Sequence, residues 1–225
     1  LLHSYANPTH EQQIKEFVNN HFPDLYVSIS SDITPYLGEY ERTSTIVLNA
    51  YVQPLAHRYL RHLEDGLRER GFAGDFYLMT SAGGTITVET ASQYPVLLVE
   101  SGPVAGALMS KYVGGLAGSE NLLAFDMGGT TAKGQVIKGG VIKKEYAIEV
   151  ARFHQFKKGS GFPVMIPALQ LIEIGAGGGS IASVDELRRL RVGPQSAGAD
   201  PGPVCYSKGG TQATVTDANL VLGYL

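Results

Sequence analysis

The segment that most constrains the fold is residues 122–131, LLAFDMGGTT. An apolar run ends in Asp126, and the pair Gly128 and Gly129 then turns the chain toward a second run of strand type. Glycines let successive backbone N–H groups converge on phosphate oxygens because no Cβ stands in the way, and an aspartate can hold Mg²⁺ through its water shell. The pattern is also that of an ordinary hairpin turn with an acid at its corner, so both interpretations stay open.

Glycine is unusually abundant, with 28 glycines in 225 residues against the roughly 7% of an average protein. The glycines cluster between apolar segments, and the densest cluster lies in residues 173–182, EIGAGGGSIA. Its members Gly177, Gly178 and Gly179 either form a second anion-binding loop or permit close packing of this loop on a sheet.

The hydrophobic pattern predicts alternating helices and strands, and so an α/β fold. Pro8 starts a first helix, and a long helix over residues 39–70 is expected to be kinked or divided at Pro54. Further helices are predicted at residues 101–112, 185–191 and 215–225, strands at 25–30, 75–80, 96–99 and 122–126, and a hairpin at 134–146. We expect residues 1–95 to lead into a lobe formed by residues 96–225.

Composition excludes several classes of protein. The net charge of −3 gives no excess of Lys and Arg for a nucleic acid or an anionic membrane. A single cysteine, Cys205, rules out an internal disulfide framework and fits a reducing cytoplasm. No apolar run approaches the roughly 20 residues that span a bilayer. Because the sequence begins at Leu1 rather than Met, we expect an internal segment of a longer chain.

Seven blocks, in this order, resemble the hydantoinase A family, which includes 5-oxoprolinase, N-methylhydantoinase, caprolactamase and the acetone and acetophenone carboxylases. They cover nearly the whole chain and are residues 4–11 (SYANPTHE), 39–51 (EYERTSTIVLNAY), 101–107 (SGPVAGA), 125–133 (FDMGGTTAK), 173–182 (EIGAGGGSIA), 192–206 (VGPQSAGADPGPVCY) and 214–223 (TVTDANLVLG).

The resemblance implies an actin-like ATPase lobe of the ribonuclease H-like type, with a mixed sheet, flanking helices and a glycine-rich loop region. It implies ATP and Mg²⁺ as cofactors, a small-molecule substrate and a hydantoinase B-type subunit or domain as partner. ATP would activate a carbonyl or enolate oxygen, so that a cyclic amide is hydrolysed or a ketone is carboxylated. Two rivals remain: a sugar or acid kinase, and a non-catalytic ATPase that works as a switch.

The resemblance also implies roles for particular residues. Asp126 would orient Mg²⁺, and the phosphate-binding residues would be Gly128, Gly129, Thr130 and Thr131. Many relatives have Asp where this chain has Lys133, which either adds a charge near the phosphates or points to solvent. The resemblance places Gly177, Gly178 and Gly179 near the nucleotide. The family's first phosphate loop and its adenosine loop have no counterpart here, so the isolated chain is expected to be inactive.

His154 is a candidate catalytic residue within the cationic and aromatic stretch 151–158, ARFHQFKK. It would act as a general base or contact a substrate carboxylate. The alternative is a partly exposed histidine with a structural role.

Overall fold

The computed structural model describes residues 1–153 and 158–225. The α-helices are α1 (Thr9–His21), α2 (Ser30–Ile33), α3 (Glu39–Glu69), α4 (Val88–Gln93), α5 (Ser101–Leu116) and α6 (Val215–Val221). The strands are β1 (Tyr77–Met79), β2 (Thr85–Thr87), β3 (Leu122–Met127), β4 (Ala132–Lys138), β5 (Val141–Ile142), β6 (Lys144–Glu145), β7 (Ile148–Val150), β8 (Phe162–Val164), β9 (Ala168–Leu169), β10 (Ile172–Ile174), β11 (Ser180–Val184) and β12 (Leu190–Ser196). This confirms the α/β class.

The described chain forms two compact units. Unit 1 contains Leu1–Leu108 and Lys143–Gln170, and unit 2 contains Met109–Ile142 and Leu171–Leu225. The predicted boundary after residue 95 concerns the lobes of the longer family and stays a prediction.

The long helix α3 organises unit 1. Its residue Leu60 packs with Val88 and Ala91 of α4 in one apolar cluster, and the fully buried Asn49 accepts a 3.2 Å hydrogen bond from the Val96 N–H. Pro54 does not divide α3. It lies on an exposed face, as does Ala50 four residues earlier, so water can reach the carbonyl that loses its helical partner.

Unit 2 is built on the sheet β10–β4–β3, with β5 also pairing with β4. Lys133 of β4 is directly opposite both Asp126 of β3 and Glu173 of β10. Cross-strand partners point to the same face of a sheet, so these three charged side chains form a row across it. A separate hairpin, β11–β12, and the short helix α6 complete the unit.

Several local predictions were wrong, each for a local reason. Residues 96–99 do not form a strand, because Pro95 begins a 3₁₀-helix, Pro95–Leu98. Residues 25–30 form no strand ladder, and the helix α2 starts at their end. Residues 185–191 do not form a helix, because the Asp185 carboxylate accepts the Arg189 N–H at 2.9 Å and closes the β11–β12 turn.

Two further features differ from the expected pattern. The last helix ends at Val221, and Gly223 follows it with φ +75° in the left-handed region. Every strand pair within residues 1–153 and 158–225 is antiparallel, so the sheet of unit 2 is not the mixed sheet that was expected.

Candidate phosphate-binding site

The turn between β3 and β4, residues 128–131, is the candidate phosphate loop. The Gly128 N–H donates to the Thr131 carbonyl at 2.9 Å and closes the turn. Asp126, one residue before the end of β3, is exposed, as are Gly129 and Thr130. The segment is therefore a hairpin turn in geometry, and its accessible backbone leaves it open to a ligand.

The second glycine cluster packs directly on this turn. The Gly178 N–H donates to the Gly128 carbonyl at 2.9 Å, and the Gly179 N–H donates to the Gly129 carbonyl at 2.7 Å. The structure thus brings together the two glycine segments that the sequence marks as candidate sites, although more than 40 positions separate residues 129 and 177 in the chain. Both lie within unit 2.

These two hydrogen bonds fix the direction of the donors in the turn. A trans peptide group is planar, and its C=O and the following N–H point in opposite directions. Because the Gly128 and Gly129 carbonyls face the second glycine cluster, the N–H groups of Gly129 and Thr130 face away from it. Neither N–H donates to a group within residues 1–153 or 158–225.

Gly129 borders open space. Its φ lies outside the left-handed region, and a Cβ built on it would meet no described atom within 4 Å. No described neighbour therefore requires glycine at this position. The open side of the turn presents two adjacent N–H donors, which is the arrangement that binds anions.

The second cluster needs glycine for packing. A Cβ on Gly177 would lie 2.6 Å from the Gly129 carbonyl oxygen, and one on Gly178 would lie 2.7 Å from Thr216 Oγ1. The Gly177 N–H donates to Ser180 Oγ at 2.9 Å, so all three N–H groups of Gly177, Gly178 and Gly179 are bonded within the protein. Close packing explains these glycines, and their direct contact with a nucleotide stays a prediction.

Lys133 does not extend freely into solvent. Its Nζ lies 2.7 Å from Glu173 Oε1, and its side chain is only 12% exposed. It stands between Asp126 and Glu173 in the charged row. A cation at this position offsets part of the repulsion that Asp126 exerts on an approaching phosphate.

The first turn of α6 is part of the site's support, a role that the sequence did not predict. Thr214 caps this helix, and its N–H and hydroxyl donate to Asp217 Oδ2, both at 2.8 Å. Burial opposes ionisation of Asp217, but hydrogen bonds from Cys205 and Thr214 outweigh it and hold the pKa of this carboxyl well below its usual value. The sequence signal for this arrangement was the capping pattern Thr214-x-x-Asp217.

The helix α6 is joined to the glycine cluster. The Thr216 N–H donates to the Gly178 carbonyl at 2.8 Å, and the Ala182 N–H donates to the Ala213 carbonyl at 2.8 Å. The block 214–223, which the sequence predicted as a helix without a functional role, therefore contacts the glycine cluster that packs on the candidate phosphate turn.

Metal binding at this site would rest on Asp126. Within the described ranges no three His, Cys, Asp or Glu side chains come together as a metal site. A single exposed carboxylate beside an anion-binding turn suits Mg²⁺, which keeps several waters and takes phosphate oxygens as ligands. His154 lies outside the described residues. No helix among those residues is both apolar and long enough to span a bilayer.

Comparison with known proteins shows the family. The sequence profile of the hydantoinase/oxoprolinase family matches residues 42–225. An uncharacterised protein of Methanocaldococcus jannaschii is 47% identical over 229 residues, covering 100% of this chain and 34% of that protein. The caprolactamase subunit alpha of Pseudomonas jessenii is 39% identical over 222 residues, covering 99% of this chain and 31% of that subunit.

Solved structures agree with these matches. A nucleotide-free structure of acetone carboxylase, described as ATP-dependent, superposes with a TM-score of 0.74 at 30% identity and covers 100% of this chain and 31% of its own. The ATP-dependent caprolactamase structure gives a TM-score of 0.73 at 38% identity, covering 99% of this chain and 31% of its own. The chain thus spans about a third of the length of these relatives.

Proposed function

The chain belongs to the hydantoinase/oxoprolinase family, and we propose that it supplies a phosphate-binding loop to an ATP-dependent enzyme that activates a carbonyl for cyclic amide hydrolysis. The observation that carries the proposal is the pair of N–H donors at Gly129 and Thr130, directed to the open side of the turn. The family membership and the ATP-dependent caprolactamase relative support the same reaction class.

The residues of the turn would act mainly by electrostatic stabilisation. The N–H groups of Gly129 and Thr130 would bind phosphate oxygens, and the hydroxyls of Thr130 and Thr131 would add donors. Asp126 would hold hydrated Mg²⁺ beside them, with Lys133 moderating the local negative charge. Bound ATP would supply the phosphoryl group that activates the carbonyl of the cyclic amide, so that water attacks the carbonyl carbon and the C–N bond breaks. The fold to which this loop belongs would be one lobe of an actin-like ATPase.

A ketone carboxylase subunit is the second candidate. It is favoured by the structural similarity to acetone carboxylase. The TM-scores for acetone carboxylase and for caprolactamase differ by only 0.01. The caprolactamase relative is named as a subunit alpha, which supports a partner subunit for both candidates; by the family resemblance, that partner would be of the hydantoinase B type. The substrate would be a small cyclic amide or a ketone.

The reaction class can be tested with the full-length natural protein, purified with the product of the neighbouring gene. ADP and organic product are measured with a hydantoin, oxoproline or a lactam, and separately with acetone or acetophenone and bicarbonate. We expect a cyclic amide to stimulate ATP hydrolysis without bicarbonate. A requirement for bicarbonate would establish a carboxylase. A stable phosphorylated product formed without the partner would establish a kinase. ATP turnover that does not respond to any of the substrates would establish a switch.

The phosphate loop can be tested with a matched pair of variants. Cβ atoms added at Gly129 and at Gly115 of α5 both meet no described atom within 4 Å, so both Gly→Ala variants should fold. Gly129 itself carries one of the two N–H donors, whereas Gly115 lies in α5, outside the turn. We expect Gly129→Ala to weaken MgATP binding at least about 10-fold, and the bulkier Gly129→Val to abolish it, because donor and phosphate oxygen must approach closely. Gly115→Ala should bind as the unmodified protein does, and equal affinities in both Ala variants would remove the turn from the site.

A further inference from the structure

We propose that the first turn of α6 sets the direction of the phosphate-binding N–H groups through a continuous chain of peptide hydrogen bonds, with Thr216 and Gly178 as positioning residues. The inference rests on the proposed role of residues 128–131 and deepens it. It assigns a task to the block 214–223, which would act on the nucleotide site without touching the nucleotide.

The first chain of hydrogen bonds begins at α6. The Thr216 N–H donates to the Gly178 carbonyl at 2.8 Å. The N–H of that same peptide group belongs to Gly179, and it donates to the Gly129 carbonyl at 2.7 Å. The N–H on the far side of the Gly129 carbonyl belongs to Thr130 and faces the open side of the turn. Three peptide dipoles are therefore linked in series, and the last one ends at the Thr130 N–H, which would donate to a phosphate oxygen.

A second chain runs beside the first. The Ser180 N–H donates to the Gly177 carbonyl at 3.0 Å, and the N–H of that peptide group, from Gly178, donates to the Gly128 carbonyl at 2.9 Å. The N–H opposite the Gly128 carbonyl belongs to Gly129. Each of the two donors in the phosphate turn is thus the end of its own hydrogen-bonded chain.

Such an arrangement has two physical effects. Consecutive hydrogen bonds polarise one another, so an N–H at the end of a chain becomes a stronger donor. The hydrogen bonds also hold each peptide plane in one orientation, so the donors need not reorganise when charge arrives, which is the condition for effective electrostatic stabilisation. Reversing either peptide plane of the turn would present a carbonyl to the phosphate.

The origin of the first chain is firmly held. Asp217 ties the start of α6 to the preceding loop by accepting the Cys205 N–H at 2.7 Å. Thr214 is buried and forms an isolated β-bridge with Ile181. The position of Thr216 is therefore fixed by contacts on both sides. The series of hydrogen bonds that starts at Thr216 in turn holds the Thr130 N–H in a defined orientation.

The contact between Gly178 and Thr216 provides the test. A Cβ at residue 178 would lie 2.7 Å from Thr216 Oγ1, so Gly178→Ala should displace the Thr216 side chain or force the two segments apart, and loss of exchange protection identifies the second outcome. Thr216→Ala keeps the backbone N–H but removes the oxygen, so Gly178→Ala/Thr216→Ala should close the gap again. We expect Gly178→Ala to raise the Kd for MgATP at least about 10-fold in the full-length protein, and the double variant to return it to within about threefold of the Thr216→Ala value.

Hydrogen exchange gives a readout that does not require nucleotide. Mass spectrometry of peptides covering residues 174–182 and 212–220 should show protection in the unmodified protein, loss of protection in Gly178→Ala and recovery in the double variant. Failure of the second substitution to restore MgATP binding, in a folded protein whose exchange protection has recovered, would overturn the positioning role.

The two proposals fail in different ways. If the unmodified protein binds no MgATP, the proposed function is wrong. The loss and recovery of exchange protection alone then decide whether the series of hydrogen-bonded peptide groups exists. If MgATP binds, and Gly178→Ala removes the exchange protection but leaves the Kd unchanged, the phosphate site stands and the positioning role of α6 is wrong.

Discussion

The glycines of the two loops are glycines for different physical reasons. Gly177 and Gly178 are glycines because a Cβ would collide with neighbouring protein atoms within 3 Å. Gly129 faces open space and is not in the left-handed region, so no contact with the described residues requires glycine there. A glycine that no described neighbour requires, at an exposed turn with directed N–H donors, supports the proposal that a ligand approaches closely there.

At Asp126, removing the charge should separate folding from activity. The side chain is exposed, so Asp126→Asn should leave the fold intact. It should cut ATP turnover of the full-length protein by at least about 10²-fold, the scale for losing a preorganised electrostatic group. Asp65→Asn, at another exposed aspartate, is the control and should leave turnover unchanged. A normal rate in Asp126→Asn, with circular dichroism showing a native fold, would exclude Asp126 from the site.

Sequence reasoning identified the individual residues better than their partners. The glycine pair and Asp126 carry a local signal, because glycine and a strand-terminal acid restrict what a turn can do. Lys133 carries no such signal. Its ion pair with Glu173 depends on β10 lying beside β4. That strand pairing joins segments 40 positions apart, so no local pattern predicts it. His154 lies outside the described residues, and its role stays a prediction.

At the scale of elements, the predictions held where a strong local pattern extended over many residues. The helix α3 was predicted at residues 39–70 and is observed at Glu39–Glu69, because its apolar spacing persists for many turns. Some short segments failed, although the strand predicted at residues 122–126 is observed at Leu122–Met127. Residues 96–99 are apolar enough for a strand, but Pro95 immediately before them favours a 3₁₀ turn.

The start of α6 should be sensitive to Asp217. Its carboxylate accepts hydrogen bonds from Thr214 and from the Cys205 N–H. Asn has a single acceptor oxygen and turns an NH₂ toward these donors, so Asp217→Asn should lower the free energy of unfolding by about 1 kcal/mol, the usual scale for a helix cap. Urea unfolding at pH 7 measures the loss, with Asp24→Asn at an exposed position as control.

The contribution of Asp217 should depend on pH in a defined direction. Its pKa is lower in the folded protein than in an unfolded chain, where it is about 3.9. The stabilisation is therefore complete above the unfolded pKa and is lost as pH falls toward the folded pKa. The difference in unfolding free energy between the unmodified protein and Asp217→Asn should shrink below about pH 4. A difference that stays constant from pH 7 to pH 3 would show that ionisation of Asp217 contributes nothing.

At the scale of the whole molecule, the chain forms two units and matches about a third of the length of its relatives, 34% and 31% in two cases. The order of the seven sequence blocks predicted the family correctly because such order does not depend on geometry. The division into units was not visible in the sequence, because unit 1 is formed by two segments that are separated by residues 109–142. Contacts between distant segments decide that division.

The last prediction is that the 225-residue chain on its own is not an ATPase. Within residues 1–153 and 158–225 we find one candidate phosphate turn, and its N–H donors face open space. Contacts to a highly charged phosphate chain that remains in water are weak, because solvent and salt screen them. An enclosed site would also hold the reacting groups in position, and this can lower the activation free energy by several kcal/mol.

The isolated chain should therefore bind MgATP only in the millimolar range or not at all, about −4 kcal/mol or weaker. It should release no phosphate above background with any of the cyclic amides or ketones. Isothermal titration calorimetry measures the first quantity and a coupled phosphate assay the second. Micromolar binding, or steady phosphate release that disappears in Asp126→Asn, would show that this chain alone contains a complete nucleotide site.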